Sequence, residues 1–225
     1  MLNDFDLSAV SPSLSYSLFS RLREDILNGT LPDGEKLTEQ KICEEYNVSR
    51  TPVREAFKQL EIEGLLLNIP NRGAFVSSFS PRDIDDLYEL RKSGEILAVQ
   101  WGIARITPEE LEELKEAYEF MEFYTLRRDY TKMLNMNAKF HDMIYTASHN
   151  RFLAQTLPLY QLYVKQMSAL GNYNDQDLIK VLAEHKDIVD AFINKDVSKG
   201  IAVMGMHLDN ARKRATIKVA QNPLP

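Results

Sequence analysis

Cysteine is almost absent from this chain: Cys43 is the only one in 225 residues. One thiol cannot close an internal disulfide or build a cysteine zinc cluster, and Cys43 reads as a small buried apolar side chain. No run of about eighteen apolar residues occurs, which excludes a transmembrane helix. The opening residues, Met1 to Asp6, show neither a basic n-region nor an apolar h-region, so no secretion signal is expected there. These absences point to a cytoplasmic protein with no membrane partner. Positive charge is also scarce. Lys and Arg number 27 against 33 Asp and Glu, for a net charge of −6. Residues 1–80 alone hold eight basic against twelve acidic side chains. Indiscriminate nucleic-acid binding, which bulk positive charge drives, is disfavoured. Any contact with DNA must come from a local patch, the rest of the chain repelling it mildly. There is no internal repeat and no low-complexity segment. What the chain does have is an apolar share of 44%, enough for a well-buried core. Its length permits one large domain or two ordinary ones.

The pattern along the chain predicts two. Residues 1–12 read as a loose arm, 13–78 as a winged helix-turn-helix domain, and 79–222 as an all-helical domain. A first helix is expected from about Ser15 to Leu27, with Leu18, Leu22, Ile26 and Leu27 as its apolar face. Thr38 can cap a second helix carrying Ile42, Cys43 and Tyr46, and Asn47 suits a left-handed end. A third helix begins a few residues later with Pro52 in its first turn and stops at Gly64. Leu65–Ile69 and Ala74–Val76, joined by Pro70-Asn71-Arg72-Gly73, read as a hairpin. Beyond Pro81 no convincing strand appears. Six helices are expected, near 81–105, 108–127, 129–147, 151–170, 175–194 and 196–221, forming an antiparallel bundle. The fold class is mainly α.

The third helix carries the sharpest chemical pattern. Arg50, Arg54 and Lys58 recur every four residues and share one face, while Val53, Phe57 and Leu60 face away and anchor it. An arginine near the start of such a helix can bond guanine O6 and N7 in the major groove. Ser49 and Thr51 can donate to phosphates near the helix N-terminus, and Arg72 at the wing tip can reach the backbone or minor groove. The plain alternative is a solvated face, with Lys58 paired to Glu55 or Glu61.

In the helical part His141, His185 and His207 each sit among apolar neighbours at helical spacing, and Asn137 shares a face with His141. Three inward imidazoles and an amide oxygen can close around one divalent metal. An inward histidine can equally be a hydrogen-bonded core residue. His149 reads as a helix C-terminal residue favoured by the dipole. Arg91 lies at the edge of a helix whose apolar face is read as Leu87, Leu90, Gly94, Leu97 and Trp101, where its plain role is an ion pair with Glu95. Gln100, Tyr163 and Asn210 are candidate polar groups of a pocket.

Residues 37–76 resemble the DNA-binding domain of the GntR family of bacterial transcription regulators. The resemblance rests on Val48-Ser49-Arg50-Thr51-Pro52-Val53-Arg54-Glu55-Ala56, on Leu60-Glu61-x-Glu63-Gly64-Leu65, and on Asn71-Arg72-Gly73-x-Phe75-Val76. It implies DNA contacts from Gln40, Ser49, Arg50, Thr51 and Arg54, with Asn71, Arg72 and Gly73 in the wing. Residues 81–221 resemble the FCD ligand-binding domain of the FadR subfamily, in its shorter, VanR-like branch. Many members hold a metal with an Asp-x-x-x-His pair and two later histidines. Here the resemblance implies a metal at Asn137, His141, His185 and His207, with asparagine where aspartate is commoner. Zinc is the expected ion, with nickel or manganese as alternatives. The resemblance also implies that Arg91 binds the carboxylate of a small effector.

The resulting expectation is a homodimeric, metabolite-responsive regulator, a repressor by family precedent, acting on a double-stranded palindromic operator. The effector is a small carboxylate held by Arg91 and Asn210 near the metal, and no enzymatic activity is expected. One rival is a metal-dependent enzyme using the three histidines. Against it, no HExxH motif occurs, and Asp142 and Glu184 point about 100° away from the histidines they adjoin on their helices. The other rival is a helical scaffold with a vestigial DNA domain, against which the intact Arg50/Arg54 face argues.

Overall fold

The computed structural model describes residues 13–70, 72–78, 80–169 and 175–221. By contact the chain divides into two compact units, Met1–Ser78 and Phe79–Pro225. The expected arm at 1–12, the wing residue Asn71, the break at Gly171-Asn172 and residue 222 lie outside the described residues.

In the first unit the order is α1 (Leu14–Leu27), β1 (Lys36–Leu37), α2 (Glu39–Tyr46), α3 (Arg50–Ile62), β2 (Leu66–Ile69) and β3 (Gly73–Val76). Local chemistry sets the boundaries. Ser13 caps α1 by accepting from the Tyr16 N–H, and Thr38 caps α2 by accepting from that of Lys41. Asn47 ends α2 in the left-handed region, at φ 50°, so only Asn47, Val48 and Ser49 separate α2 from α3. The three strands form an antiparallel sheet in the order β1-β3-β2. Lys36 lies opposite Phe75, and Leu67 lies opposite it on the other side. The hairpin follows the sequence pattern, whereas β1 does not: a strand of two residues is too short to show an alternation. Leu22 and Ile26 of α1, Ile42 of α2, Val53 and Leu60 of α3, and Val76 of β3 are buried together in this unit. Phe57, expected to anchor α3, is half-buried, and the smaller Ala56 and Pro52 take the buried positions. Cys43 is half-buried as well.

The second unit contains α4 (Pro81–Arg105), α5 (Pro108–Leu126), α6 (Tyr130–Ala147), α7 (Arg151–Ala169), α8 (Asp175–Ile193) and α9 (Val197–Gln221). Ser80 with Asp83 and Thr107 with Glu110 form reciprocal capping boxes, each followed by a proline in the first turn. Three connections repeat one device. After α5, α6 and α8, the residues Arg128, His149 and Lys195 adopt positive φ, at 56°, 48° and 52°. After α5 the Asp129 N–H reaches back to Tyr124, and after α8 the Asp196 N–H reaches back to Ala191. Each reversal takes only three residues, which makes the flanking helices antiparallel. His149 therefore lies beyond α6 rather than in its last turn, and its Nε2 meets Glu110 at 3.0 Å.

In this bundle α4 packs on α6, α7 and α9, while α5 packs on α6 and α8. Val99, Met121, Phe140, Ile144, Ile188 and Phe192 lie at the centre of its core. The expected apolar face of α4 is partly misplaced. Leu90 and Leu97 are 57% and 39% exposed. The buried face runs through Ile84, Tyr88, Arg91, Glu95, Ala98 and Val99 instead. Two charged residues occupy its middle, so a search by hydrophobicity alone picks the wrong side. Where α9 crosses α4, Gly200 permits a close approach: a Cβ there would stand 2.4 Å from Ile103 Cδ1 and 2.9 Å from Val99 Cγ1. Gly200→Val should lower the stability of the protein by about 1–3 kcal/mol, the usual range for overpacking a filled core. Urea unfolding measures this, and an unchanged midpoint would contradict the packing described.

Candidate functional site

Near the centre of the helical unit three histidines converge. His141 comes from α6, His185 from α8 and His207 from α9, with ring centroids 4.6–5.3 Å apart. Each offers a ligand atom, and these atoms all lie within 4.8 Å of one another. All three residues are buried. Every ring is held through Nδ1: His141 by Glu95 Oε2 at 2.6 Å, His185 by the Val181 carbonyl at 2.7 Å, and His207 by Glu184 Oε2 at 2.8 Å. A carbonyl or carboxylate oxygen can only accept, so each Nδ1 carries the proton and each Nε2 keeps its lone pair. His141 Nε2 and His185 Nε2 are buried without a partner, and so is Asn137 Oδ1, one turn before His141. Buried polar atoms are rarely left unpaired. Orphaned lone pairs on imidazoles that are already oriented fit a divalent transition metal.

The surroundings reinforce this arrangement. Burial pushes the pKa of His185 well below the ordinary histidine value, helped by the neighbouring His207 and His141. Burial likewise takes that of His207 down to about 4. The rings of His185 and His207 are thus kept in the neutral form that a metal requires. Glu95 and Glu184 behave oppositely. Burial would raise Glu95, but Arg91 and His141 outweigh it and hold its pKa well below the usual carboxylate range. For Glu184, burial is outweighed by the hydrogen bonds from His207 and Arg214, which bring it to about 2.

Glu95 and Glu184 are the residues that the sequence reading undervalued. Glu95 is fully buried, and it accepts from Arg91 Nε at 2.5 Å and from the Tyr145 hydroxyl at 2.8 Å as well as holding His141. Tyr145 in turn accepts from Gln161 Nε2 at 3.0 Å. Arg91 is therefore not an edge residue: it is 3% exposed, with Nε committed to Glu95. Glu184 does point away from His185, as helix geometry requires, but it faces His207 on the next helix. It also accepts from Asn210 at 2.9 Å and from both terminal nitrogens of Arg214 at 2.9 Å. Asn210 thus supports the histidine cluster through Glu184. Gln100 is half-buried, and Tyr163 packs beside Ile84, Leu87 and Tyr88. Asp142 is exposed.

In the first unit Arg50, Arg54 and Lys58 line the exposed side of α3. The ion pairs of Lys58 with Glu55 or Glu61 do not form, and Arg50 has no ion-pair partner among the described residues. Arg54 Nε donates to Glu39 Oε1 at 2.8 Å. That contact leaves its two terminal nitrogens for another partner. Ser49 stands at the N-cap of α3 without a side-chain cap bond, which leaves its hydroxyl available. Thr51 is exposed beside it, and Gln40 Nε2 donates to Glu44 at 2.9 Å. In the wing, Gly73 has φ +104°, a conformation that a side chain would strain. Lys36, which no motif signalled, crosses from β1 to the Phe75 ring at 5.9 Å, the same distance as Arg72. The wing thus carries two cations on one aromatic.

Breaking the buried pair on α4 should be costly. Glu95→Ala strands the Arg91 charge and should lower stability by about 3–5 kcal/mol. The double variant Arg91→Met, Glu95→Leu should recover much of that loss in urea unfolding. A cost below about 1 kcal/mol for Glu95→Ala would contradict a desolvated pair.

Comparison with known proteins agrees with both units. Residues 14–76 match the family described as bacterial regulatory proteins, gntR family, and residues 86–210 match the FCD domain. The HTH-type transcriptional regulator YdhC of Bacillus subtilis (strain 168) is 30% identical over 197 residues, 87% of each chain. The HTH-type transcriptional repressor RspR of Escherichia coli (strain K12) is 23% identical over 195 residues, covering 87% of this chain and 86% of that one. The solved structure of E. coli McbR/YncC superposes with a TM-score of 0.75 at 23% identity, over 94% of this chain and all of its own. These relatives are transcription regulators rather than enzymes. No helix of the described residues is long and apolar enough to cross a membrane. With a helix-turn-helix unit that matches one family and a helical unit that matches its companion domain, the chain belongs to the GntR family of DNA-binding transcription regulators and carries an FCD domain.

Proposed function

We propose that this regulator is a homodimeric repressor whose operator affinity is set by a small carboxylate metabolite bound beside a divalent transition metal. The observation that carries the reading is the set of oriented, orphaned donors in the helical unit: His141 Nε2, His185 Nε2 and Asn137 Oδ1, with His207 among them. Asn137, His141, His185 and His207 would hold the ion, with zinc the first choice and nickel or manganese alternatives for an N-rich set. Once held, the ion supplies a fixed positive point to which an anionic effector can attach. Glu95, Glu184 and the Val181 carbonyl keep the rings aimed. Arg91 adds a buried guanidinium whose charge is felt at His207. Its fork suits a carboxylate once Nε has been spent on Glu95. Asn210 stands next to the same cluster. The carboxylates of Glu95 and Glu184 are committed to His Nδ1 atoms and arginines, so neither is free to act as a base, which disfavours the enzyme alternative.

For DNA, Arg50 and Arg54 would read bases, and Gln40, Ser49, Thr51, Asn71, Arg72 and Gly73 would fix register on the backbone and minor groove. The repressor assignment leans on RspR, which is named as a repressor. Dimerisation is supported by Leu90 and Leu97, seven residues apart on α4 with the small Ser93 between them and exposed to solvent. A second copy can cover such a strip. A two-fold dimer calls for a short palindromic operator with half-sites about one helical turn apart or closer.

Two measurements test this reading. In titrations of labelled operator, selected from random DNA, Arg50→Ala and Arg54→Ala should each weaken binding at least about tenfold, as a lost bidentate contact implies. The circular dichroism of both variants should stay that of the parent, and parental operator affinity in both would sink the assignment. Separately, protein purified without added metal should contain close to one transition-metal ion per chain, whereas His141→Ala and His207→Ala should contain far less. Equal metal in all three would reject the histidine centre.

A further inference from the structure

The candidate donors carry no charge, and the charges around them already cancel. His141, His185 and His207 coordinate only as neutral imidazoles, and Asn137 offers a neutral amide where the family pattern has aspartate. Two carboxylates touch the rings, and each is matched by its own arginine. Glu95 meets Arg91 at 2.5 Å, and Glu184 meets Arg214 through two contacts of 2.9 Å. Lys92 and Asp209 pair with each other nearby. Asp142 adjoins His141 and feels the charge of Glu95, but it lies at the exposed surface rather than among the buried rings. A divalent cation entering this pocket therefore brings two positive charges to a place where, among the described residues, both buried carboxylates are already paired with arginines. Burying an uncompensated ion is strongly unfavourable. An anion that enters with it removes most of that penalty.

We infer that Asn137 makes metal binding conditional: the pocket holds a divalent cation tightly only together with a small carboxylate anion, so neither ligand is sensed alone. The inference rests on the metal reading above and adds the coupling. Linkage requires that each ligand tighten the other by the same factor. An aspartate at 137 would supply a built-in negative charge and weaken that dependence. The regulator thus reports the joint presence of metal and carboxylate, and asparagine is the residue that sets this logic.

The test is zinc affinity of the full chain, read by competition with a chromophoric chelator in chloride-free buffer, with and without acetate. The chelator reports free zinc, so complexes formed in solution do not enter. Acetate should tighten zinc binding to the parent protein about tenfold or more, within the range usual for coupled sites. Asn137→Asp should bind zinc at least about tenfold more tightly than the parent without acetate, and gain less than about threefold from it. Asn137→Ala removes the oxygen without adding charge, so it should bind more weakly in both conditions and keep the parental acetate factor. Zinc affinity of the parent that ignores acetate overturns the coupling and leaves the metal centre standing. An acetate factor in Asn137→Asp as large as the parental one overturns it too. Absence of saturable zinc binding by the parent, or parental zinc affinity in His207→Ala, overturns the metal centre and the coupling with it.

Discussion

A carboxylate buried at the heart of the helical unit ties its functional parts together. Glu95 lies at 0% exposure on α4 and satisfies Arg91, His141 and Tyr145 at once. A charge so deep persists only when it is paired and fully hydrogen-bonded. Glu95 meets both conditions, and in doing so it fixes the ring of His141 and the guanidinium of Arg91 relative to each other. Glu184 makes a comparable arrangement with His207, Arg214 and Asn210. Glu95 gives one oxygen to Arg91 and the other to His141, whereas Arg214 spans both oxygens of Glu184 and His207 shares its Oε2. A bundle built for stability alone would place leucines there, because replacing buried ion pairs with apolar groups is often neutral or stabilising. The polar centre is the part of this fold that packing does not explain.

The DNA-binding unit solves a different electrostatic problem. The chain is acidic overall and in its first 80 residues, so long-range attraction to DNA is weak. Its cations are concentrated at two places, the exposed side of α3 and the wing around Phe75. The contact of Arg54 with Glu39 holds one guanidinium in place without consuming its fork. An acidic chain of this kind has low affinity for arbitrary sequences. This suits a regulator that must ignore most of a genome.

Much of this was legible from residue order. The cap at Thr38, the left-handed Asn47 and the helix bounds read near 105, 108, 129, 147, 151, 194 and 196 are local signals, and the helices begin and end close to where they place them. The three histidines were also visible, each flanked by apolar residues at helical spacing. The two-residue strand β1 was not, because no period fits in two residues. The inner face of α4 was assigned only in part: Leu87 is buried as expected, but Arg91 and Glu95 occupy the middle of the face while Leu90 and Leu97 are exposed.

The sequence by itself determined the classes of element, their ends, and the residue types available for DNA and for a metal. Those depend on interactions within a few residues of one another, such as caps, turns and helical periodicity. Tertiary structure decided what the charged residues do. Glu95 and His141 are 46 positions apart, and Glu184 and His207 are 23 apart. Whether a carboxylate orients an imidazole, pairs with an arginine or meets water depends on which helix packs across from it, and that is a property of the folded bundle.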